Sequence, residues 1–418
     1  MLDRSQKPYR ARCTGPLVWL VALACGLLCL TGAAQQPAQK QQRPRRVPDA
    51  PTPAPRATPT PQAPRGTTSA IGEEVDEGDI VRVDTQLIPV PVVVRDRTGR
   101  PVMNLRADNF TVYEDNQPQR VATFATADAP FEVALLLDTS GSTRAEVALI
   151  RRAANAFIDA LRPGDRVAVI SFNTAEEGRE KLATVEVQSF LTDNREALRG
   201  AIENIGTSNG TPYYDALERV AKEIFRDPPK AELRGRRALV ALTDGVDSTS
   251  DSDFTAARAR LLQAGVLAYF VQVNTEDYVE DRLLRDCQDD GRLGLSKVQL
   301  ERYRRIFNPR ADRADYANFC QMGQFERMEI SRSLYQLARQ EMSQLARDTG
   351  GKTFDAIDLR SARAAFDEVA AEIGKQYSLG YYSNNKTRDG RFRQIRVEVR
   401  GLAGAQVSAR EGYQAPKS

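Results

Sequence analysis

The most informative absence in this sequence is histidine, of which there is none among 418 residues. Without histidine the chain cannot build a Ser-His-Asp or Cys-His catalytic group, or a His-ligated zinc or iron site. An excess of charge of either sign is also absent, because 59 lysines and arginines are balanced by 56 aspartates and glutamates. The net charge of +3 gives no global field that would attract nucleic acid, so we expect no nucleic-acid partner.

Cysteine is scarce as well, and three of the five cysteines lie in or just before an apolar N-terminal stretch. The other two are Cys287 and Cys320. If the chain is exported, these two thiols meet an oxidising compartment, where such a pair is expected to form a disulfide. Two unpaired thiols in a loosely ordered segment are the alternative.

Residues 1–34 have the pattern of a signal peptide: basic residues, then the apolar run 16–34, which ends in Gly32, Ala33 and Ala34. This pattern predicts export, with cleavage near Ala34, to the periplasm, the cell surface or the medium. The alternative is an uncleaved anchor, since about 20 apolar residues span a bilayer. In both cases we expect membrane contact only through this segment.

Composition divides the rest of the chain into segments. Residues 35–79 are rich in proline, glutamine and arginine and have no apolar periodicity, which predicts a disordered linker. In residues 80–128, and again in 375–414, short alternating runs are separated by turn residues, as in antiparallel strands. We predict that these two segments together form a small flanking β-sandwich.

Residues 129–374, between the two flanking segments, alternate strand and helix patterns. The first strand, 133–137, is continuously apolar, as expected where helices cover both faces of a parallel sheet. The repeated alternation predicts an α/β fold with a doubly wound, mostly parallel sheet of the Rossmann-like kind. The charged stretch 275–332, which holds Cys287 and Cys320, interrupts this rhythm, and we interpret it as an insertion followed by a helix over 334–349.

Side chains with oxygen atoms follow the predicted strands. Asp138, Ser140 and Ser142 come directly after the first strand, Asp244 follows a later one, and Thr211 lies in a loop that enters a helix. In a doubly wound sheet such positions converge on the crevice beyond the carboxyl ends of the strands. Carboxylate and hydroxyl oxygens suit a hard cation, so the sequence predicts a Mg²⁺ site at which Mn²⁺ would fit as well.

Each part of this pattern also has a simpler interpretation. Serine or threonine after a strand can cap a helix, and Thr-Asp-Gly can be only a turn. The neighbouring Asp247, Asp251 and Asp253 are interpreted as a solvated rim rather than a second ion site. Tyr213 and Tyr214 are candidates either for the mouth of the site or for the core.

The order of these residues resembles the metal-ion-dependent adhesion site of the von Willebrand factor A family, a DxSxS turn followed by a threonine and then an aspartate. The resemblance implies that the ion is contacted by the hydroxyls of Ser140, Ser142 and Thr211, and by Asp138 and Asp244 directly or through water. Segments 92–114 and 376–413 also resemble the flanks of a group of exported proteins with this domain that is abundant in acidobacteria. The insertion at 275–332 is longer than expected of that group.

The function implied is an exported adhesion module in which the metal binds a glutamate or aspartate carboxylate of a protein partner. We do not expect an enzyme, because a phosphatase with an aspartate nucleophile would have a second acid where Ser140 stands, and no phosphate-binding Gly-Lys loop is present. The alternatives are a structural envelope-assembly protein whose metal stabilises the fold and, less well supported, a metal-dependent hydrolase.

Overall fold

The structure of the chain is a computed structural model that describes residues 87–141, 143, 146–177, 180–227, 236–283 and 294–416. All of these residues belong to the unit Ile80–Ser418. The predicted signal peptide and linker, Ser142 and Cys287 lie outside the described residues. In the described part of the chain, no helix combines the length and apolar character needed to cross a bilayer.

Strands and helices occupy the described chain in the following order. The strands are β1 (Leu87–Arg95), β2 (Phe110–Glu114), β3 (Gln117–Gln119), β4 (Val121–Ala125), β5 (Glu132–Leu137), β6 (Arg166–Glu177), β7 (Glu180–Thr192), β8 (Arg237–Thr243), β9 (Leu267–Val273), β10 (Lys352–Ala356), β11 (Tyr377–Tyr382), β12 (Phe392–Val399), β13 (Gln406–Ala409) and β14 (Gly412–Gln414). The α-helices are α1 (Val147–Ala160), α2 (Arg195–Glu203), α3 (Tyr213–Arg219), α4 (Phe254–Gln263), α5 (Glu276–Leu283), α6 (Lys297–Phe307), α7 (Gln324–Thr349) and α8 (Ala362–Ile373).

The central sheet has the strand order β10-β9-β8-β5-β6-β7. Neighbouring strands are parallel except at the edge, where β7 runs antiparallel to β6. Every residue of β5 and β8 is buried, because α1, α2 and α8 cover one face of the sheet and α3, α4 and α7 cover the other. The predicted doubly wound, mostly parallel sheet is therefore confirmed, and the direction of winding changes beside β5.

Helix α7 differs from its prediction. It begins at Gln324, about three turns before the predicted start at Leu334, so the predicted insertion boundary at Arg332 falls inside a helix. The first part of α7 is strongly charged, and its apolar residues Ile330 and Leu334 pack against the insertion instead of the central sheet. Apolar periodicity toward the core of the central sheet therefore does not reveal that residues 324–333 are helical. The insertion also contains the regular helices α5 and α6.

The flanking segments form two four-stranded antiparallel sheets, β13-β1-β11-β4 and β14-β12-β2-β3. Each sheet combines N-terminal and C-terminal strands, since β1 pairs with β11 and β2 pairs with β12. Valines of β1 pack against Tyr377, Leu379 and Tyr381 of β11 and against Ile395 and Val397 of β12 in a core of their own. This arrangement confirms the predicted antiparallel module built from both flanks.

The segments by which the chain enters and leaves the α/β domain lie side by side, and two arginines bind the backbone of both. Arg236 is buried and donates hydrogen bonds to the carbonyl oxygens of Thr126 (2.9 Å) and Ala127 (3.1 Å) on the entering segment, and of Ile373 (3.2 Å) on the leaving segment. Arg162 likewise donates to Ala127 and to the carbonyl of Gly374, at 2.7 Å each. Because backbone carbonyls of both segments depend on these guanidinium groups, the module and the α/β domain are fixed to each other.

Helix α7 also ends against this module. Gly350 caps it in the left-handed conformation with φ of 84°. A Cβ at that position would lie 2.5 Å from Cγ of Pro91 in β1. Glycine is therefore required both by the backbone angle and by the close approach of the strand.

Candidate metal centre

Asp138 is held at the carboxyl end of β5 by hydrogen bonds with β8 and with the turn that follows it. Its backbone N–H donates to the carbonyl oxygen of Leu242 at 2.9 Å, which continues the pairing with β8. Its side chain is buried and accepts hydrogen bonds at Oδ1 from the backbone N–H of Ser140 (3.0 Å) and at Oδ2 from the Thr243 hydroxyl (2.7 Å). The carboxylate is thus oriented before any ligand arrives.

The turn after Asp138 is stabilised by its own side chains. The Thr143 hydroxyl lies 3.0 Å from the carbonyl oxygen of Asp138 and 3.2 Å from that of Ser140. Ser140 is buried, and its hydroxyl also hydrogen-bonds the Asp138 carboxylate. Ser142, the third residue of the motif, lies outside the described residues, so its predicted role stays a prediction.

Asp244 follows β8 at the same end of the sheet. Its Oδ1 accepts a hydrogen bond from the backbone N–H of Val246 at 3.0 Å, and its Oδ2 accepts one from the Thr275 hydroxyl at 2.6 Å. Thr275 also pairs with the Tyr335 hydroxyl of α7 at 2.8 Å. Asp244 is therefore oriented by its own turn and by Thr275, which Tyr335 contacts in turn.

Thr211 is brought to the same place by the loop that precedes α3. Its backbone N–H donates to the Ser248 hydroxyl at 2.8 Å, and its carbonyl oxygen accepts from the Ser248 N–H at 3.0 Å. This double hydrogen bond ties the threonine loop to the segment after Asp244. The structure therefore brings Thr211 and Asp244 together, although they are far apart in sequence.

Ser140, Thr211 and Asp244 line one cavity of about 190 Å³ at the carboxyl ends of the strands. Asp138 lies beside it, linked to Thr243 by the hydrogen bond already described. Four of the five residues predicted as metal ligands thus meet at the crevice of the doubly wound sheet, the position expected for ligand binding in this architecture.

The electrostatics of this cluster favour a cation. The pKa of Asp138 is raised from 3.8 to about 7, first by burial and then by the negative charge of Asp244, against the lowering effect of hydrogen bonds from Ser140 and Thr243. Two buried carboxylates that repel each other are stabilised when a positive charge lies between them. The ionised pair is therefore costly without a cation.

The donor set also fits a hard divalent ion. Its atoms are carboxylate and hydroxyl oxygens, which suit Mg²⁺ or Mn²⁺ better than a soft metal. In the described part of the chain, no group of three or more Asp, Glu, His or Cys side chains is placed to hold a metal ion. An ion bound here would therefore need hydroxyl ligands in addition to the two carboxylates.

The predicted rim residue Asp247 is placed differently from the expectation. It is buried and accepts hydrogen bonds from the Tyr213 N–H (2.9 Å) and the Ser250 hydroxyl (2.5 Å), and burial raises its pKa to about 6. Asp247 therefore organises the start of α3 and is not a solvated residue. Charge patterning missed this because it cannot show which acidic residue of a cluster turns inward.

Thr275 and Tyr335 are the residues of the site that the sequence analysis missed. Asn274 comes directly after β9 and Thr275 follows it, so the rule that located Asp138 and Asp244, polar residues after parallel strands, leads to this segment. No sequence signal marks Tyr335, which reaches Thr275 from α7. Tyr213 and Tyr214 are both buried in the core of the sheet face covered by α3.

Cys320 is disulfide-bonded, whereas Cys287 lies outside the described residues, so their pairing stays a prediction. We expect peptide mapping of the non-reduced protein to recover Cys287 and Cys320 in one cross-linked peptide. Reduction should release the two peptides separately. Recovery of Cys320 joined to any other cysteine would show that the predicted pair is wrong.

Comparison with known proteins gives a family match for the central part of the chain. Residues 132–293 match the von Willebrand factor type A domain. No curated protein sequence matches the chain significantly.

Several solved structures resemble the chain at a distance. A von Willebrand factor type A protein from Catenulispora acidiphila is 12% identical over 80% of this chain and 75% of that one, with a TM-score of 0.36. The conserved hypothetical protein BatB from Bacteroides thetaiotaomicron is 16% identical over 59% of this chain and 99% of that one, with a TM-score of 0.34.

Proximal thread matrix protein 1 from the mussel byssus, in a structure described as having a zinc-occupied MIDAS motif, is 12% identical over 58% of this chain, with a TM-score of 0.35. The match covers only 48% of that mussel chain. At these scores the three structures carry no information about ligand or partner. The family match therefore assigns residues 132–293 to a von Willebrand factor type A domain, and the doubly wound sheet agrees with that match.

Proposed function

We propose that this protein is an exported binding module that holds a divalent cation, Mg²⁺ in the first place, and uses it to bind a carboxylate of a protein partner. Asp138, Ser140, Thr211 and Asp244 would hold the ion, together with Ser142 as the family resemblance implies. The bound ion would supply a positive charge with a coordination position that a partner carboxylate can take. Export rests on the apolar segment 16–34 and its flanks.

The observation that carries this proposal is the convergence of two buried carboxylates with neutral hydroxyls at a cavity open to a ligand. Because the hydroxyls add no negative charge, an ion held by this set keeps more of its own charge than one held by carboxylates alone. Such an ion attracts a further carboxylate. The protein would therefore recognise acidic groups only when the metal is bound.

Binding is favoured over hydrolysis by the side chains that surround the cavity. Among the described residues that line it, Asp244 and Tyr335 are the ones with titratable side chains. Both are hydrogen-bonded to Thr275, and burial raises the pKa of Tyr335 well above its ordinary value. Neither is placed as a general base for an attacking water, so we propose that the protein is not an enzyme.

A chelator-sensitive pull-down from envelope extracts tests this function. We expect the wild-type protein to recover a partner in Mg²⁺ and to release it in EDTA. Thr211→Val removes one oxygen ligand at nearly constant shape, so recovery should fall at least about tenfold, the loss seen even for groups that only support a ligand. The control Thr211→Ser keeps the hydroxyl and should retain binding.

The alternatives predict other results, in the pull-down and in a turnover assay. Recovery of every partner in EDTA as well as in Mg²⁺ would favour the structural envelope-assembly role, in which the metal serves only the fold. Metal-dependent turnover of generic phosphate or ester substrates, abolished in Thr211→Val, would favour the hydrolase.

A further inference from the structure

The insertion contributes an apolar cluster that lies beside the candidate metal centre and is separate from the two cores of the central sheet. We call it the satellite cluster, and its buried members are Leu283, Leu295, Leu300, Met322, Ile330 and Leu334. Val246, two residues after Asp244, packs against this cluster, as does Val279 of α5. The insertion therefore has its own core, and that core reaches the metal-site loop.

Hydrogen bonds fix the insertion to the site on two sides. At its start, Thr275 donates to Asp244. At the N-terminus of α6, the Ser296 hydroxyl donates to the carbonyl oxygen of Ser248 at 2.6 Å, and Ser248 is the residue that holds the Thr211 loop. The Thr211 loop and the Asp244 loop, two of the three loops that carry candidate ligands, are thus tied to the insertion.

A partly buried ion pair holds the body of α6 in place. Arg302 of α6 donates to both carboxylate oxygens of Glu341 on α7 at 2.7 Å each. Glu341 also accepts a hydrogen bond from the Tyr214 hydroxyl at 2.6 Å, and the Arg302 guanidinium lies 4.6 Å from the centre of the Tyr214 ring. These contacts make the insertion a fixed wall of the site.

The cavity between the wall and the sheet has two chemically different parts. Ser140, Thr211 and Asp244 supply oxygen atoms, whereas Val279, Leu295 and Leu334 of the satellite cluster supply apolar surface beside the polar side chains of Ser296, Gln299 and Ser331. Among the described residues that line it, none is lysine or arginine. A negatively charged ligand would therefore depend on the metal for its attraction, and its neighbouring atoms would meet an apolar surface.

We propose that the ligand is a short acidic peptide segment in which an apolar residue stands next to the residue that carries the carboxylate. This inference rests on the proposed metal-dependent function and names the kind of partner that the site would select. A cavity of about 190 Å³ is smaller than the roughly 300–1,000 Å³ of pockets that enclose a small-molecule ligand. It suits one or two side chains inserted from a peptide.

Two blocked tetrapeptides that carry glutamate followed by leucine or by serine test this proposal, with calorimetry on the full chain in Mg²⁺. The leucine peptide should bind about tenfold more tightly, the effect expected when a leucine side chain is largely removed from water. Neither peptide should bind in EDTA. Free 4-methylpentanoate, which has the same chemistry without a peptide backbone, should bind more weakly than the leucine peptide.

Two valine variants show whether the satellite cluster causes the preference for the leucine peptide over the serine peptide. Val279→Ala shortens a half-buried side chain that lines the cavity, so the preference for leucine should fall to about threefold. Val298→Ala makes the same change on α6 at a residue that is 41% exposed and does not line the cavity. This control should keep the full preference.

Equal affinity for the two peptides in Mg²⁺ would overturn the apolar preference and leave the metal site in place. Binding of neither peptide by a protein that still binds Mg²⁺ would also overturn it. If 4-methylpentanoate binds as tightly as the leucine peptide, the ligand is a small organic acid and the peptide assignment is wrong. If Mg²⁺ itself does not bind, the proposed function fails and this inference fails with it.

Discussion

Replacing Glu114 with leucine should lower the free energy of unfolding by about 3–5 kcal/mol, the cost of removing one member of a buried ion pair. Glu114 stands at the end of β2 and is buried, as is its partner Arg393 on β12, which donates a hydrogen bond to it at 3.3 Å. The hydroxyls of Tyr381 (2.7 Å) and Tyr413 (3.0 Å) donate to the same carboxylate. Leucine would leave the arginine charge without its buried counter-ion and the tyrosine hydroxyls without this acceptor.

The effect should be large because Glu114 links strands from both ends of the chain. Tyr381 belongs to β11 in one sheet, whereas Arg393 and Tyr413 belong to β12 and β14 in the other. Loss of the carboxylate therefore disturbs both sheets of the flanking module, and also the pairing of its N-terminal and C-terminal halves.

Urea denaturation followed by fluorescence measures this change, with Glu398→Ala as the control. Glu398 lies on β12 as well, but it is exposed and pairs with Arg396 and Tyr113 at the surface, where ion pairs contribute little. The control should unfold at the same urea concentration as the wild type. A Glu114→Leu protein that does the same would show that the buried network does not hold the module together.

Periodicity predicts the fold well because burial leaves a direct mark on the sequence. The continuous apolar run of β5 predicts a strand buried on both faces, and the alternation in β12 predicts a strand with one exposed face. Both patterns are observed. Asp115 and Asn116 predict a tight turn because these residue types tolerate positive φ angles. The structure gives them φ angles of 47° and 66°.

The insertion could not be predicted in the same way. Its apolar residues serve the satellite cluster, so they do not follow the period set by the central sheet, and the charged start of α7 therefore resembled a loop. The position of the wall beside the site depends on side-chain hydrogen bonds such as Ser296 to Ser248. Hydrogen bonds between distant segments leave no periodic signal.

The candidate site could be predicted in part, better than the insertion but less well than the fold. The carboxyl ends of β5 and β8 are neighbours in a doubly wound sheet, which places Asp138 and Asp244 together from topology alone. The inward turn of Asp247 and the contact of Thr275 with Asp244 depend on local packing. Sequence order therefore identified the candidate ligands but not the residues that position them.

The central claim is that Asp138 belongs to a cation site. It predicts that Asp138→Asn raises the stability of the metal-free protein and abolishes the stabilisation by Mg²⁺. The folded-state pKa of Asp138 is raised to about 7 from 3.8, so its contribution to stability is present below about pH 4 and is lost as the pH rises through 7. At pH 8 without metal, the ionised carboxylate opposes folding. Asparagine removes that charge, so the variant should melt at a higher temperature than the wild type in EDTA.

In Mg²⁺ the two proteins should differ in how much stability they gain. At a concentration about 100 times the dissociation constant, bound metal stabilises the wild type by about 2.7 kcal/mol, whereas Asp138→Asn should gain nothing. Asp251→Asn, a change at an exposed residue of the nearby acidic loop, should respond to Mg²⁺ like the wild type.

Thermal unfolding of these three proteins at pH 8, in EDTA and in Mg²⁺, is therefore the most direct test. The account predicts a Mg²⁺-dependent rise in melting temperature for the wild type and for Asp251→Asn, and none for Asp138→Asn, which is the most stable of the three in EDTA. A wild-type melting temperature that does not respond to Mg²⁺, or an Asp138→Asn protein that responds as the wild type does, would contradict it.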